Sequence, residues 1–306
     1  MNHFRLYEKD LKIIAELEKD SRTSISQIAK NCGIIKEVAN YRIKRMQEEG
    51  FIEGYKAIID YYALGYNQYA LLINLHRLEE TTKTDIIKEF RSIEKIEVMP
   101  FIQGTTDIRI TFWVKNQKEL LEKYDVLMNK YGKYIKEKNF TIIYKNTFLS
   151  KKYIHKITQE TTIGISKNKE ISSDEEKILL LIEKNPLEGT LEISKKLNIP
   201  ASTVTTKIKR LIAEKILLKA TPILNTSLLG YSKYNVDIKI SDSNNKKYII
   251  EQLKSEINVT KIEENIGDYE LSFNAEVKTA KELDMIMNRL RIKYPNIEDF
   301  EVKIIE

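Results

Sequence analysis

The sequence predicts an α+β chain in which a small three-helix domain and a strand-rich domain each occur twice. Three observations carry this. Residues 10–66 align with residues 175–231 at a constant offset of 165, without a gap, and fifteen of the 57 pairs are identical. A repeat of fixed period marks a duplicated structural unit. At the start of each copy apolar residues recur every three or four positions, the spacing of amphipathic helices. Beyond those segments, runs that alternate as strands do are interleaved with helical runs in the order strand, helix, strand, strand, helix, strand.

The helical part of the first copy comes first. Leu11, Ile13, Ile14 and Leu17 define a helix over 8–19 with a charged outer face. Ser24-Ile25-Ser26-Gln27 sets a hydroxyl three residues ahead of an amide side chain, a capping-box pattern, and Ile28, Ala29 and Cys32 then face inward until Gly33 ends the helix. After the Gly33-Ile34-Ile35 turn, Ala39, Ile43 and Met46 hold the inner face of a third helix; Lys36, Glu37, Asn40, Tyr41, Lys44 and Arg45 point the other way. Two helices joined by a tight turn, the second presenting amide, phenol and cationic groups outward, form a helix-turn-helix pattern, although a plain three-helix bundle shares the apolar rhythm. Gly50 to Asp60 alternates between glycine breaks and reads as a short hairpin or wing.

The second copy keeps this frame and changes its surface. Ile178, Leu179 and Ile182 serve the first helix, Gly189 and Glu192 take the capping positions, and Val204, Ile208 and Leu211 replace Ala39, Ile43 and Met46. Its third helix shows Ala201, Ser202, Thr205, Thr206, Lys207 and Lys209, a shorter, hydroxyl-rich face. The two heads are therefore expected to read different sequences. Leu217-Leu218-Lys219-Ala220 stands where the first copy has Ile52-Glu53-Gly54-Tyr55, so the second wing reads as degenerate.

The strand-rich parts follow. In the first copy strands are predicted over 69–75, 97–103, 107–114 and 138–148, with helices over 84–93 and 117–131. In the second, strands fall over 234–240, 259–265, 269–277 and 297–305, with helices over 246–255 and 279–294. A βαββαβ order predicts a ferredoxin-like antiparallel sheet with helices on one face. The bare face needs cover, and the economical cover is the other copy or another chain. Residues 150–169 show no firm periodicity and read as a linker long enough to bring the second head beside the first.

Composition narrows the function classes. At 306 residues with 42% apolar side chains, the chain supports two or three cored domains. No apolar run approaches the roughly 20 residues of a membrane span, and Met1-Asn2-His3-Phe4-Arg5 has no signal-peptide character, so a cytoplasmic protein with no membrane partner is expected. Cys32 alone makes neither an internal disulfide nor a thiolate cluster; it reads as a small buried side chain, and no metal or cofactor is expected. The net charge of +6 and pI near 8.9 are modest, so the placement of the lysines carries more weight than their number.

At this point the chain resembles the Lrp/AsnC (feast/famine) family of transcription regulators, fused in tandem. The resemblance rests on Ile28-Ala29, on Arg42-Ile43-Lys44-Arg45-Met46, on the run from Glu48 through Gly50-Phe51-Ile52-Glu53-Gly54 to Asp60, and on Leu64-Gly65-Tyr66. Each copy also has a glycine-acid step between its central strands: Gly104-Thr105-Thr106-Asp107 and Gly267-Asp268-Tyr269-Glu270. The resemblance implies that these are effector-pocket loops, with an amino acid as the suggested effector and Asp107 or Glu270 facing its ammonium. Departures are visible. Ile35 and Pro200 stand where the family has a serine cap, worth about 1 kcal/mol, and Thr106 and Glu270 replace an aromatic and an aspartate, so the two pockets are expected to differ.

The domains are then a winged helix-turn-helix at 1–62, a ferredoxin-like domain at 63–149, a linker at 150–170, a second winged helix-turn-helix at 171–227 and a second ferredoxin-like domain at 228–306. The expected function is sequence-specific binding of double-stranded DNA by a fused pseudo-dimer on an asymmetric site, modulated by a small molecule, with a homodimer or higher assembly left open. Lys36, Asn40, Tyr41, Arg42, Lys44 and Arg45 of the first head and Ser202, Thr205, Thr206, Lys207, Lys209 and Arg210 of the second are the expected contacts. Two other readings share the architecture: an enzyme resembling the siroheme decarboxylases, and an effector-sensing adaptor without DNA binding. The enzyme needs histidine and arginine at a tetrapyrrole pocket, whereas His3, His76 and His155 all lie off the central strands and only Arg109 lies on one.

Overall fold

A computed structural model describes residues 4–76, 80–166 and 168–306. The first copy runs α1 (Glu8–Asp20), α2 (Ile25–Cys32), α3 (Lys36–Glu48), β1 (Ile52–Ile59), β2 (Asn67–Leu75), α4 (Glu80–Arg91), β3 (Ile96–Gln103), β4 (Ile108–Val114), α5 (Gln117–Tyr131) and β5 (Ile135–Leu149). A short α6 (Lys152–His155) and β6 (Glu160–Gly164) follow. The second copy runs α7 (Ser173–Lys184), α8 (Thr190–Leu197), α9 (Ala201–Ala213), β7 (Leu217–Leu224), β8 (Ser232–Ile240), α10 (Lys246–Ser255), β9 (Val259–Ile266), β10 (Leu271–Val277), α11 (Ala280–Lys293) and β11 (Ile297–Ile305). The expected linker is thus partly ordered: β6 joins the edge of β5.

The chain divides by type rather than by copy. One compact unit gathers both helical heads with residues 150–161, and the other gathers both ferredoxin-like domains with residues 162–166. In the head unit, Ser24 accepts from the Gln27 amide to start α2, and Gly33, at φ +67°, ends it. Ile13, Ile14, Ile28, Ile43, Met46 and Phe51 form the core of the first head. The region expected as a hairpin wing is instead a single strand. β1 pairs antiparallel with β7, with Ala57 opposite Ala220 and Tyr55 opposite Pro222. Reciprocal bonds close both ends: the Asp60 amide donates to the Ile216 carbonyl and the Asn225 amide to the Phe51 carbonyl. Under the offset of 165 these are equivalent atoms exchanged. The junction is therefore self-complementary, as in a two-fold dimer. It also explains the apolar second wing, because Leu217, Ala220 and Leu224 are buried.

In the other unit the two sheets close on each other edge to edge. The order β2-β4-β3-β11-β8-β10-β9-β5, with β5 returning to β2, makes a ring of eight antiparallel strands. β3 meets β11 and β5 meets β9 at the two seams between copies. Strand alternation sends Leu71, Ile73, Ile108, Ile110 and Phe112 toward α4 and α5, and Val236, Ile238, Leu271 and Phe273 toward α10 and α11. The intervening positions point into the ring, and besides Ala70 and Leu72 they include a polar set, Gln68, Arg109, Thr111, Asn235, Asp237, Glu263, Asn265 and Ser272, all of it buried. No helix among the described residues is long and apolar enough to cross a membrane.

Candidate nucleic-acid interface and effector loops

The third helix of the first head presents Lys36, Asn40, Tyr41 and Lys44 to solvent, with Tyr41 68% exposed. Arg42 and Arg45 are differently placed. Their guanidinium groups donate to the two carboxylate oxygens of Asp10 at 2.9 and 2.8 Å, and the Tyr7 amide donates to the same carboxylate at 2.8 Å. Asp10 is completely buried. These arginines fix α3 against α1. In the second head Ser202, Thr205, Thr206, Lys209 and Arg210 are exposed. The Thr205 and Thr206 hydroxyls donate to carbonyls four residues back, at 2.9 and 3.0 Å, which leaves their lone pairs and methyl groups facing outward. Arg210 reaches the buried Glu175 at 3.1 Å, and Lys207 lies 3.0 Å from the Ser172 hydroxyl and 3.5 Å from Asp174.

Asp10 and Glu175 were not singled out in the sequence. Burial would raise the Glu175 carboxyl, but Ser172, Arg210 and Lys207 together hold it below the ordinary value. A signal for both acids exists: each stands 35 residues before an arginine, Asp10 before Arg45 and Glu175 before Arg210, in both copies.

The two glycine-acid loops keep one construction. Gly104 and Gly267 take φ of +140° and +159°, and each lies against the last strand of the other copy, Gly104 against Lys303 and Gly267 against Thr141. The acid of each loop is spent on the backbone: Asp107 accepts the Leu75 amide at 2.7 Å and Glu270 the equivalent Ile240 amide, also at 2.7 Å. The longer Glu270 therefore replaces Asp107 without loss of that bond. Thr106 is buried, whereas Thr105 and Asp268 are exposed and Tyr269 half-buried. Inside the ring a small cavity of about 10 Å³ is lined by Arg109, Thr141, Asp237, Asn265, Tyr269 and Ser272, with Ala70 and Leu72.

Inside the ring Arg109 donates to Glu263 at 2.5 Å, and Lys261 reaches the same carboxylate at 2.7 Å. Burial would raise Glu263, but Arg109 and Lys261 pull it down to about 2. Among the described residues, Arg109 Nε and Asn265 Oδ1 are buried without a hydrogen-bond partner.

A model described as winged helix-turn-helix, DNA-binding, matches residues 8–53 and 175–217, one head in each copy. The regulatory protein AsnC of Haemophilus influenzae is 32% identical over 100 residues, 32% of this chain and 65% of that protein. The HTH-type transcriptional regulator LrpA of Pyrococcus abyssi is 30% identical over 126 residues, 41% of this chain and 86% of that protein. The chain belongs to the Lrp/AsnC family of transcription regulators. As an Lrp/AsnC protein it is a tandem form, with the head repeated at the family model's two matches. Among solved structures, the siroheme decarboxylase NirDL is similar over 98% of this chain and 91% of its own, with a TM-score of 0.65 and 15% identity. That likeness shows a shared fold. The Lrp/AsnC assignment rests on the sequence relatives.

Proposed function

We propose that the protein is a DNA-binding transcription regulator that acts as a covalent pseudo-dimer on an asymmetric site. The observation that carries this is the self-complementary β1–β7 junction, which joins two exposed but chemically unlike recognition helices in one unit. Lys36, Lys44 and Lys209 neutralise phosphates, while Asn40, Tyr41, Thr205 and Thr206 face base edges. Arg42 and Arg45 serve the interface by holding α3 in place through Asp10. A small molecule at the loops beginning at Gly104 and Gly267, with an amino acid as the favoured class, modulates this binding.

The histidines and Arg109 support a regulator over an enzyme of like architecture. Arg109 is committed to Glu263, His155 lies 2.7 Å from Glu18 in the head unit, and His76 is exposed beyond β2. His3 falls outside the described residues. Fluorescence anisotropy on the chain's own upstream DNA, against a scrambled duplex and across a salt series, tests the proposal. Sequence-dependent binding with a log–log salt slope of about 0.9 per neutralised phosphate is expected. Equal affinity for both duplexes, or no binding at low salt, overturns it.

A further inference from the structure

Lys303 is a completely buried lysine two residues from the end of β11. Its ammonium pairs with Asp237 on β8 and lies 3.1 Å from Glu301. It also sits 5.9 Å from the ring centroids of both Phe101 and Tyr269. Two acids and two aromatic faces around one ammonium are the elements of a cation cage. The first glycine-acid loop closes over it. A Cβ built on Gly104 would stand 3.0 Å from Lys303 Cγ, so a side chain there would displace the lysine stem. The Thr105 hydroxyl donates to Glu301.

The equivalent place in the other half of the ring is built differently. Thr141 stands opposite Ala70 as Lys303 stands opposite Asn235, and Asn139 and Leu72 face each other as Glu301 and Asp237 do. Asn265 stands opposite Ile143 as Phe101 stands opposite Ile305, and Thr106 follows its loop glycine as Tyr269 follows Gly267. Every charged or aromatic member of the cage is thus replaced by a neutral, non-aromatic one. The small cavity lies between the two places, lined by Ala70, Leu72, Thr141 and Asn265 of the neutral one and by Asp237 and Tyr269 of the cage.

We propose that the pocket beneath the loop at Gly104 is a primary-ammonium site whose resident ligand is the chain's own Lys303. Four atoms of side chain carry the ammonium to a cage that recognises it by charge and by aromatic contact. The consequence for regulation rests on the effector reading above: a free ligand bearing a primary ammonium is shut out of the first loop, and one ligand place per chain is left, at the second.

The test uses the full chain with Lys303→Ala, which leaves Cβ and removes three carbons and the ammonium; the matching probe is n-propylammonium, with n-propanol as its neutral counterpart. Melting is followed by the fluorescence of Trp113, the single tryptophan, which lies on β4. The variant is expected to lose roughly 5–15 °C, to recover with n-propylammonium at one per chain, and to ignore n-propanol; the wild type is expected to ignore both. Equal response of the variant to both probes, or a wild-type response to n-propylammonium matching the variant's, overturns the proposal. Should Lys303→Ala not fold, Lys303→Met keeps the stem and removes the ammonium that Asp237 and Glu301 face. It is expected to melt below the wild type, and adding Asp237→Asn and Glu301→Gln is expected to recover part of that loss; a Lys303→Met chain that melts with the wild type overturns the cage. Amino-acid titration of the wild type separates the two readings. Two bound per chain overturns the plug; none overturns the effector reading and leaves the n-propylammonium result to decide the cage.

Discussion

Glu263 and Arg109 offer a quantitative check on the polar interior of the ring. Both side chains are within a few per cent of complete burial, at 5% and 6% exposure, and they come from different copies. Replacing one partner strands the other, which typically costs 3–5 kcal/mol. The pH behaviour gives an independent figure. Each pKa unit is worth about 1.4 kcal/mol, so a fall from the ordinary 4.5 to about 2 corresponds to about 3 kcal/mol. Because the folded value lies below the unfolded one, that contribution is complete above pH 4.5 and fades as the pH falls toward 2. Glu263→Gln, Arg109→Met and the double variant are compared by urea unfolding, read through Trp113 on the same strand as Arg109. Each single variant is expected to lose about 3–5 kcal/mol at pH 7, and the double variant about 2 kcal/mol less than their sum. The gap between wild type and Glu263→Gln should narrow between pH 4.5 and 2. Additivity within about 0.5 kcal/mol, with a gap independent of pH, would refute a coupled pair.

Three further outcomes follow from the heads. Asp10→Asn is expected to cost about 2–3 kcal/mol, below the figure for a fully buried pair because Arg42 and Arg45, at 22% and 19% exposure, can turn to water; thermal unfolding by circular dichroism measures it, and Glu175→Gln should cost less, since Arg210 is 55% exposed. Lys215 takes a left-handed φ of +53° where the first copy has Gly50 at +72°. Lys215→Gly should therefore gain about 0.5–1 kcal/mol and Gly50→Lys lose about 1, both read as shifts in melting temperature. On DNA, Lys44→Gln should weaken binding to all sequences and lower the log–log salt slope by about 0.9, whereas Asn40→Ala should lose about 1–3 kcal/mol on the preferred site alone; anisotropy on matched and mutated duplexes distinguishes them.

Local pattern made most of the elements legible. Every strand and helix of the ferredoxin-like domains could be placed from apolar alternation, because alternation reports which face of a strand meets the helices. It does not report which strand lies beside which. For that reason β1–β7 pairing was hidden behind a hairpin reading of Gly50 to Asp60, and ring closure at the β3–β11 and β5–β9 seams was invisible. The same limit applies to the sites. Asn40, Tyr41, Lys44, Thr205 and Thr206 could be read as outward-facing from helical spacing, whereas Arg42 and Arg45, on the same helix, are drawn to a buried acid 32 and 35 residues earlier. Lys303 and Asp237 sit at polar positions of alternating strands, where a lone sequence suggests solvent; only the closed ring makes them interior.

That closure changes what dilution does. A regulator assembled from separate subunits loses its paired form as concentration falls, because its stability is inseparable from the amount of protein present. Here both seams of the ring and the strand pair beneath the heads are drawn from a single polypeptide, and a tether supplies an effective concentration in the millimolar range. A cell holding only a few copies keeps every one of them paired. The combination of two unlike heads is fixed when the chain is made, because both lie on one polypeptide.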